Sequence, residues 1–440
     1  MLSIQTIRER TDEVRRSLLN RNTEAPLEAI LAADEQRRSV LADVERMRHD
    51  RNDAGKRIGS AKDAAERDQL LAAQRAVAAD LDRFEAVLRD ADRELESLLL
   101  YIPNLPHPDV PVGSEEDSVV ILEGDGEQWE RRLDTPMPLA EYESPAIDES
   151  RHPHWHLGPE LGVIDFERGT KISGAPFYIL KGDGARLQRA LITWMLDVHR
   201  EQGYSEIYPP ALVREETLVG TGQLPKFAGT MFHAEGTDLW LIPTAEVPVT
   251  NMYREEILDP ALLPLKHAAY TPCFRHEQFS AGRDVRGIKR GFQFDKVEMV
   301  QFVPEEQSWA ALEQIVEDAL AIIRPLGLRY RVLRLATGDL TFASAMTYDI
   351  EVWAPGSQEW LEVSSVSNFL DFQARRANLR YRDAEGQVKH LHTLNGSGLA
   401  LPRVLATLLE QYGSADGVVV PEAIRGFLGG RTLIGAQPKF

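Results

Sequence analysis

Apolar residues recur with a helical period over much of the first hundred positions, whereas later segments mix helical periods with alternation. Residues 1 to about 20 predict a short amphipathic helix, with Ile4, Ile7, Val14 and Leu18 or Leu19 on its apolar side. Residues 27–57 are long and polar, with sparse apolar positions at Leu27, Ile30, Leu41, Val44 and Met47. From about residue 64 to 101 the signal sharpens. Val77, Leu81, Phe84, Leu88, Ala91, Leu95 and Leu98 are spaced alternately by four and three, a sustained heptad seam. Two long helices joined at Gly55 to Ser60 predict an antiparallel hairpin, an arm of roughly 45 Å at 1.5 Å per residue. A globular core does not require such a protrusion. It reads either as a reach toward a partner or as a dimerising coiled coil.

Residues 102–150 change character. IPNLPHPDVPVG is dense in proline and is followed by Glu115, Glu116 and Asp117, which predicts a linker and a domain boundary. Beyond it, residues 182–203 predict a helix with Leu187, Ala190, Leu191, Trp194, Met195 and Val198 on one face and Gly203 as its C-terminal cap. Residues 306–323 predict another, with Trp309, Leu312, Ile315, Val316 and Leu320 inward. Strands are expected at YSEIYPP, at LWLIPTAEVPV (239–249), and at 328–335, 348–353 and 360–366. LNGSGLALPRVLATLLEQYG reads as a glycine-rich turn opening an amphipathic helix with Leu405, Leu408 and Leu409. The irregular order of strands and helices favours an α+β fold, an antiparallel sheet with helices on it, over a Rossmann fold.

Bulk composition narrows the classes. The 440 residues are 43% hydrophobic and 27% charged, an ordinary globular balance with room for two or three domains. Cys273 is the sole cysteine, so neither an intrachain disulfide nor a cysteine-rich zinc site is available. No apolar run approaches the ~20 residues that span a bilayer, and MLSIQTIRERTDEV lacks the apolar core of a secretory signal. A cytoplasmic protein is expected. The net charge of −19 argues against indiscriminate nucleic-acid binding. Between residues 46 and 67, however, Arg46, Arg48, Arg51, Lys56, Arg57, Lys62 and Arg67 face Asp50, Asp53, Asp63 and Glu66, a local excess of +3. That tip suits a phosphate backbone as well as it suits a solvated helix face of mixed pairs. His152, His154 and His156 alternate in HPHWHLG; with the intervening proline and no adjacent carboxylate cluster, a structural loop is expected in preference to a metal site.

The richest chemistry lies in residues 271–302, TPCFRHEQFSAGRDVRGIKRGFQFDKVEMVQF. Pro272 to Glu277 reads as a strand entering a long loop, and residues 292–300 as the strand returning. The period of two puts Arg275 and Glu277 on one face, and Phe292, Phe294, Lys296 and Glu298 on one face of the return. An anion binder, an acceptor, a stacking ring and a second carboxylate suit a nucleotide joined to an amino acid. An exposed hairpin with ordinary cross-strand ion pairs fits the same stretch.

In order along the chain, these residues resemble seryl-tRNA synthetases of the bacterial type, class II aminoacyl-tRNA synthetases. Motif 1 of that class matches residues 184–212, with Pro210 in the class proline position; motif 2 matches 271–302 through FRHE and RGFQFDKVE; motif 3 matches 395–412 through GSGLALPR. IPNLPHPDVPVG, TGQLPKF, PTAEVP, EVSSVSNF, FQARR and NGSG are the family's own marks. The resemblance implies a tRNA-binding domain at 1–110, its hairpin at about 27–101, and a class II catalytic domain at 111–440. It implies activation of L-serine with ATP to seryl-adenylate, then transfer to the 3′ end of tRNA(Ser), and of tRNA(Sec) where one exists, by a homodimer built through motif 1.

Residue by residue, the resemblance assigns the chemistry to Arg275, Glu277 and Arg403. ATP contacts fall to Arg275, His276, Glu277, Gly291, Phe294, Glu362, Val363, Ser364, Ser365 and Arg403, with Phe294 and Arg403 on the adenine. Glu362 and Ser365 match the oxygen ligands of Mg²⁺. Serine recognition falls to Thr244, Ala245, Glu246, Arg275, Glu298, Asn395 and Ser397, whose polar groups reject analogues lacking the hydroxyl. The tRNA contacts of the arm fall on Arg46, Arg48, Arg51, Lys56, Arg57 and Lys62. The chain departs from the family pattern at Gln278-Phe279, Gly291, Phe292, Met346 and Val366. A paralogue loading a carrier protein would lack the full arm, and an inactive RNA-binding relative would not keep Arg275, Glu277, Glu298, Glu362 and Arg403 together.

Overall fold

The computed structural model describes residues 1–276 and 286–435. Contacts divide the chain into two compact units, Met1–Leu19 with Thr23–Pro103 and Asn20–Asn22 with Asn104–Phe440.

In the first unit two helices, α1 (Ile4–Glu9) and α2 (Thr11–Asn20), replace the single one expected, because Arg10 leaves helical geometry at φ −121°. Of the two candidate leucines Leu18 is half-buried and Leu19 is exposed. Helices α3 (Leu27–Ser60) and α4 (Ala64–Leu99) form the hairpin. Ile30 and Val44 on one and Leu81, Ala91 and Leu95 on the other are buried, so the heptad seam is the packed stripe. Arg37 pairs with Asp92 at 2.5 Å and Arg48 with Glu85 at 2.8 Å, partners running in opposite directions along the two helices. The expected joint at Gly55 to Ser60 is helical instead, and Ala61 turns the chain in an extended conformation. A glycine costs a helix interior only about 1 kcal/mol, too little to break one flanked by good formers.

The second unit is built on a nine-stranded sheet. Its strands are β1 (Val119–Asp125), β2 (Trp129–Pro138), β3 (Ser205–Ile207), β4 (Leu265–Phe274), β5 (Gln293–Val303), β6 (Arg329–Arg334), β7 (Met346–Ala354), β8 (Glu359–Asn368) and β9 (His392–Ala400), in the spatial order β2-β1-β6-β7-β8-β9-β5-β4-β3. All neighbours are antiparallel except β3 and β4. The helices that bear on the site are α5 (His154–Glu160), α6 (Asp183–Glu201), α7 (Glu246–Thr250), α8 (Ser308–Ile323), α9 (Phe372–Ala377) and α10 (Leu401–Tyr412). This is the α+β architecture expected. Three details differ. Residues 119–138, read as linker, pair as the β1–β2 hairpin at the sheet edge. Residues 246–249, read as the end of a strand, belong to a helix, Glu246–Thr250. NGSG is not a turn but lies inside β9, where a Cβ on Gly396 would fall 2.5 Å from Ile315 of α8; the glycine lets helix and strand close up.

Alternation along β5 sorts the two faces. Val297, Met299 and Val303 enter the main core with Leu191 of α6, Ile315 of α8 and Leu405 of α10. Val300 and Phe302 lie on the other face under a smaller cluster with Val249 of α7 and Ala374 of α9. Ahead of that cluster the same face carries Phe294, Lys296 and Glu298. Trp309, expected inward, is 37% exposed and packs on His107 at 4.4 Å between ring centroids. Among the described residues no helix is long and apolar enough to cross a membrane.

Leu81 is buried in the hairpin seam. Leu81→Ala is expected to cost about 2–4 kcal/mol of local stability. Hydrogen exchange of α3 and α4 amides in the full chain should therefore accelerate by about thirtyfold to a thousandfold, while amides of the sheet keep their rates.

Candidate active site

The cleft face of the sheet ends where α7 and α9 begin, and there the polar side chains meet. Asn395 donates through Nδ2 to Glu246 Oε2 at 3.1 Å and to Glu298 Oε1 at 2.8 Å. Ser397, two residues on and so on the same face of β9, donates to Glu298 Oε2 at 3.3 Å. Lys296 Nζ lies 2.5 Å from that oxygen. Gln373 of α9 donates to Glu246 Oε1 at 2.5 Å and accepts from Thr393 Oγ1 at 2.7 Å. Thr244 Oγ1 accepts the backbone N–H of Glu246 at 3.3 Å, fixing the first turn of α7. Ala245 is buried in the smaller core cluster behind it.

Burial first, and the charge of Glu298 second, push the Glu246 carboxyl up to about 7, although Gln373, Lys296 and Arg275 oppose the shift. Two carboxylates held by one amide in a buried floor form a site prepared for a cation.

Arg275 extends from the end of β4. Its Nε donates to Pro243 O at 3.3 Å, beside Thr244, and its guanidinium carbon sits 5.1 Å from the centre of the Phe294 ring. Arg403 opens α10, donating through Nη1 to Glu362 O at 2.6 Å and lying 3.2 Å from Glu362 Oε2. Burial raises the Glu362 carboxyl, but Arg403 and then Arg275 outweigh it and hold the group below the usual carboxylate range. Asp349, opposite Ser365 in the β7–β8 register, is driven the other way by burial and by Glu362. Ser364 donates to Ser397 O at 2.7 Å, joining β8 to β9. The side chain of Val363 enters the main core, so only its backbone can face a ligand in the cleft.

Arg275, Phe294, Glu298, Glu362, Asn395, Ser397 and Arg403 are thus brought together along one face, together with Glu246. Glu277 lies outside the described residues, as do Gln278 and Phe279. His276 stacks on Phe292 at 5.3 Å, and Phe177 and Phe232 close an aromatic cluster on Phe292. Gly291 is buried; a Cβ there would come within 3.3 Å of Gln293 O. Met346 and Val366 belong to the main core, so those two departures leave the cleft untouched. The arm residues Arg46, Arg48, Arg51, Lys56, Arg57 and Lys62 are all exposed.

Sequence reasoning missed Gln373, although FQARR had been picked out, because nothing local links that amide to Glu246. It also misread His154. That residue opens helix α5 instead of lying in a loop, and is buried against Glu410 of α10, a carboxylate 256 positions away. Among the described residues no group of three or more His, Cys, Asp or Glu side chains is arranged to hold a metal ion.

Comparison with known proteins gives a consistent result. Residues 1–106 match the seryl-tRNA synthetase N-terminal domain, and residues 230–412 the class II core domain of tRNA synthetases for G, H, P, S and T. A serine–tRNA ligase of Thermomicrobium roseum is 53% identical over 443 residues, covering 100% of this chain and 96% of the relative. One from Chloroflexus aurantiacus is 50% identical over 99% of this chain and 100% of its own length. The crystal structure of seryl-tRNA synthetase from Pyrococcus horikoshii complexed with ATP superposes with a TM-score of 0.89 at 34% identity, covering 100% of both chains.

The Glu246 carboxyl binds its proton more tightly when folded than when unfolded. Its contribution to stability is therefore full below the ordinary carboxylate range near 4.5 and is lost as pH rises through about 7. Urea unfolding at about pH 5 and about pH 8 should show Glu246→Gln gaining roughly 2–3 kcal/mol on the parent protein across that interval. An unchanged difference would place the titration elsewhere.

Proposed function

The chain belongs to the seryl-tRNA synthetase family and is a class II, ATP-dependent aminoacyl-tRNA ligase, and from that premise we propose that it charges tRNA(Ser), and tRNA(Sec) where one exists, in two steps. First a serine carboxylate oxygen attacks the α-phosphorus of ATP; an acyl–phosphate bond forms, the bond to the β-phosphate oxygen breaks, and pyrophosphate leaves. Then a ribose hydroxyl at the tRNA 3′ end attacks the acyl carbon, loses its proton, and AMP leaves. No side chain becomes a covalent nucleophile. The work is placement and charge stabilisation.

The observation that carries this reading is the cluster of Glu246, Asn395, Glu298 and Ser397. Glu246 and Glu298 accept from the serine ammonium and hydroxyl, with Thr244, Ala245, Asn395 and Ser397 completing the pocket. A substrate without the hydroxyl leaves these buried acceptors unpaired, the strongest form of discrimination a small pocket offers. Arg275 presents its planar fork to the serine carboxylate and the α-phosphate. Phe294 and Arg403 take the two faces of the adenine, and Glu277 accepts from its amino group. His276, Gly291 and the Glu362–Ser365 segment complete the ATP contacts, that of Val363 through its backbone.

Glu362 and Ser365 fit Mg²⁺. They are hard oxygen donors beside a second carboxylate, Asp349, and an ion that keeps water and phosphate ligands needs few from protein. When bound, Mg²⁺ supplies positive charge to the phosphates. Residues 1–110 act as the tRNA-binding domain and 111–440 as the catalytic domain. The exposed Tyr208 and Leu212 support motif 1, residues 184–212, as the surface that joins two copies. The cytoplasm holds the substrates this chemistry needs.

Serine-dependent exchange of pyrophosphate into ATP tests the reading. Exchange with serine, and none with alanine, is expected; no exchange with any amino acid overturns it. Replacing Arg51, Arg57 and Lys62 with glutamine should leave exchange unchanged. It should also weaken tRNA binding and reduce the slope of log affinity against log salt by about 2–3. An unchanged slope would remove these residues from the tRNA contact.

A further inference from the structure

Outside the cleft, one buried ionic group serves no step above. Glu410 of α10 is fully buried. Its Oε1 accepts from His154 Nδ1 at 2.6 Å and from the His154 backbone N–H at 3.1 Å. Its Oε2 accepts from the backbone N–H groups of Gly356 and Ser357 at 3.0 and 2.8 Å and from Ser357 Oγ at 3.0 Å. The other side of the imidazole faces the foot of the returning limb of motif 2. There the Ile288 backbone N–H donates to His154 Nε2 at 3.1 Å. A ring nitrogen that accepts from an amide carries no hydrogen, so the neutral ring has its proton on Nδ1, directed at Glu410. Gly287 stands at φ +81°, and a Cβ on it would fall 1.9 Å from His154 Nε2. The foot of the loop is therefore shaped around this ring.

One residue further on, Lys289 O accepts from Arg403 Nε at 3.4 Å, and Lys289 Nζ lies 2.5 Å from Glu359. Arg403 and Glu410 are seven residues apart on α10, which puts them on one stripe of the helix. The helix thus holds the same short piece of backbone twice, directly through Arg403 and indirectly through His154. The hydrogen bonds given above for Glu246, Glu298, Asn395 and Gln373 do not include any member of this ring.

We propose that His154 is a positioning residue for the ATP side of the active site. It transmits the grip of Glu410 to Ile288 and so sets the height of the Lys289 carbonyl against which the Arg403 guanidinium rests. This rests on the adenylate-forming role proposed above. Serine recognition is outside its reach, so the effect of disturbing it falls on ATP.

Two substitutions separate this from a merely structural role. His154→Asn keeps a donor near Nδ1 for Glu410 but has no acceptor that reaches Ile288. His154→Gln can place an oxygen near Nε2 but gives up the Nδ1 donor. In serine-dependent pyrophosphate exchange, His154→Asn is expected to raise the KM for ATP about tenfold, with the KM for serine within about twofold and a thermal midpoint close to the parent. His154→Gln is expected to lose more thermal stability yet keep the KM for ATP within about threefold. A parental KM for ATP in His154→Asn, or a parallel rise of both KM values, overturns the proposal. If neither variant folds, hydrogen exchange on the parent protein decides: strong protection of the Ile288 amide supports the anchor, and exchange at the rate of a free amide overturns it. If the parent itself shows no exchange of pyrophosphate, the reading of function fails, separately from the anchor.

Discussion

Two carboxylates share one amide at the floor of the cleft, and most of the second unit serves that arrangement. Glu246 and Glu298 would repel each other in a buried setting. Asn395 bridges them, Lys296 pairs one, and Gln373 donates to the other. The three partners come from β9, β5 and α9, Glu298 from β5 and Glu246 from α7. Like charges can be buried only where donors are held in fixed directions, and a sheet with helices closing one end holds them.

The same economy governs the phosphate side. Glu362, Asp349, Arg403 and Arg275 form an alternating set in which one carboxyl is held ionised by the arginines and the other is driven toward its neutral form. Strand pairing fixes their spacing: Ser365 lies opposite Asp349, and Ser364 bonds across to Ser397. Gly396 lets α8 press on the opposite face of β9, so the face bearing Asn395 and Ser397 is backed by packed helix and kept rigid. The Glu410–His154 pair extends this order to the loop foot.

Much of this was legible in the linear chain. The heptad seam is real packing, the helix at 183–201 carries the expected apolar face, and alternation along 292–300 sorts Phe294, Lys296 and Glu298 from Val297. Motif resemblance then named Arg275, Phe294, Glu298, Glu362, Asn395, Ser397 and Arg403, which meet along one face. The failures share a cause. Glycine runs at 55–60 and in NGSG read as breaks because local propensity is weak; in one place helix continuity overrode it, and in the other a helix packed on the strand. The strands at 119–138 hid behind a proline-rich approach, since pairing partners for an edge hairpin lie some two hundred positions away.

The sequence by itself therefore determined the periodic elements, the family and the identity of the polar groups on each strand, because period and residue type are local properties. Only the tertiary structure decided which of those groups touch. That Gln373 steadies Glu246, that Glu410 meets His154, and that Val363 turns its side chain into the core all depend on register and on contacts between segments far apart in the chain. No local pattern encodes them, because their free energy exists only once distant backbones are packed together.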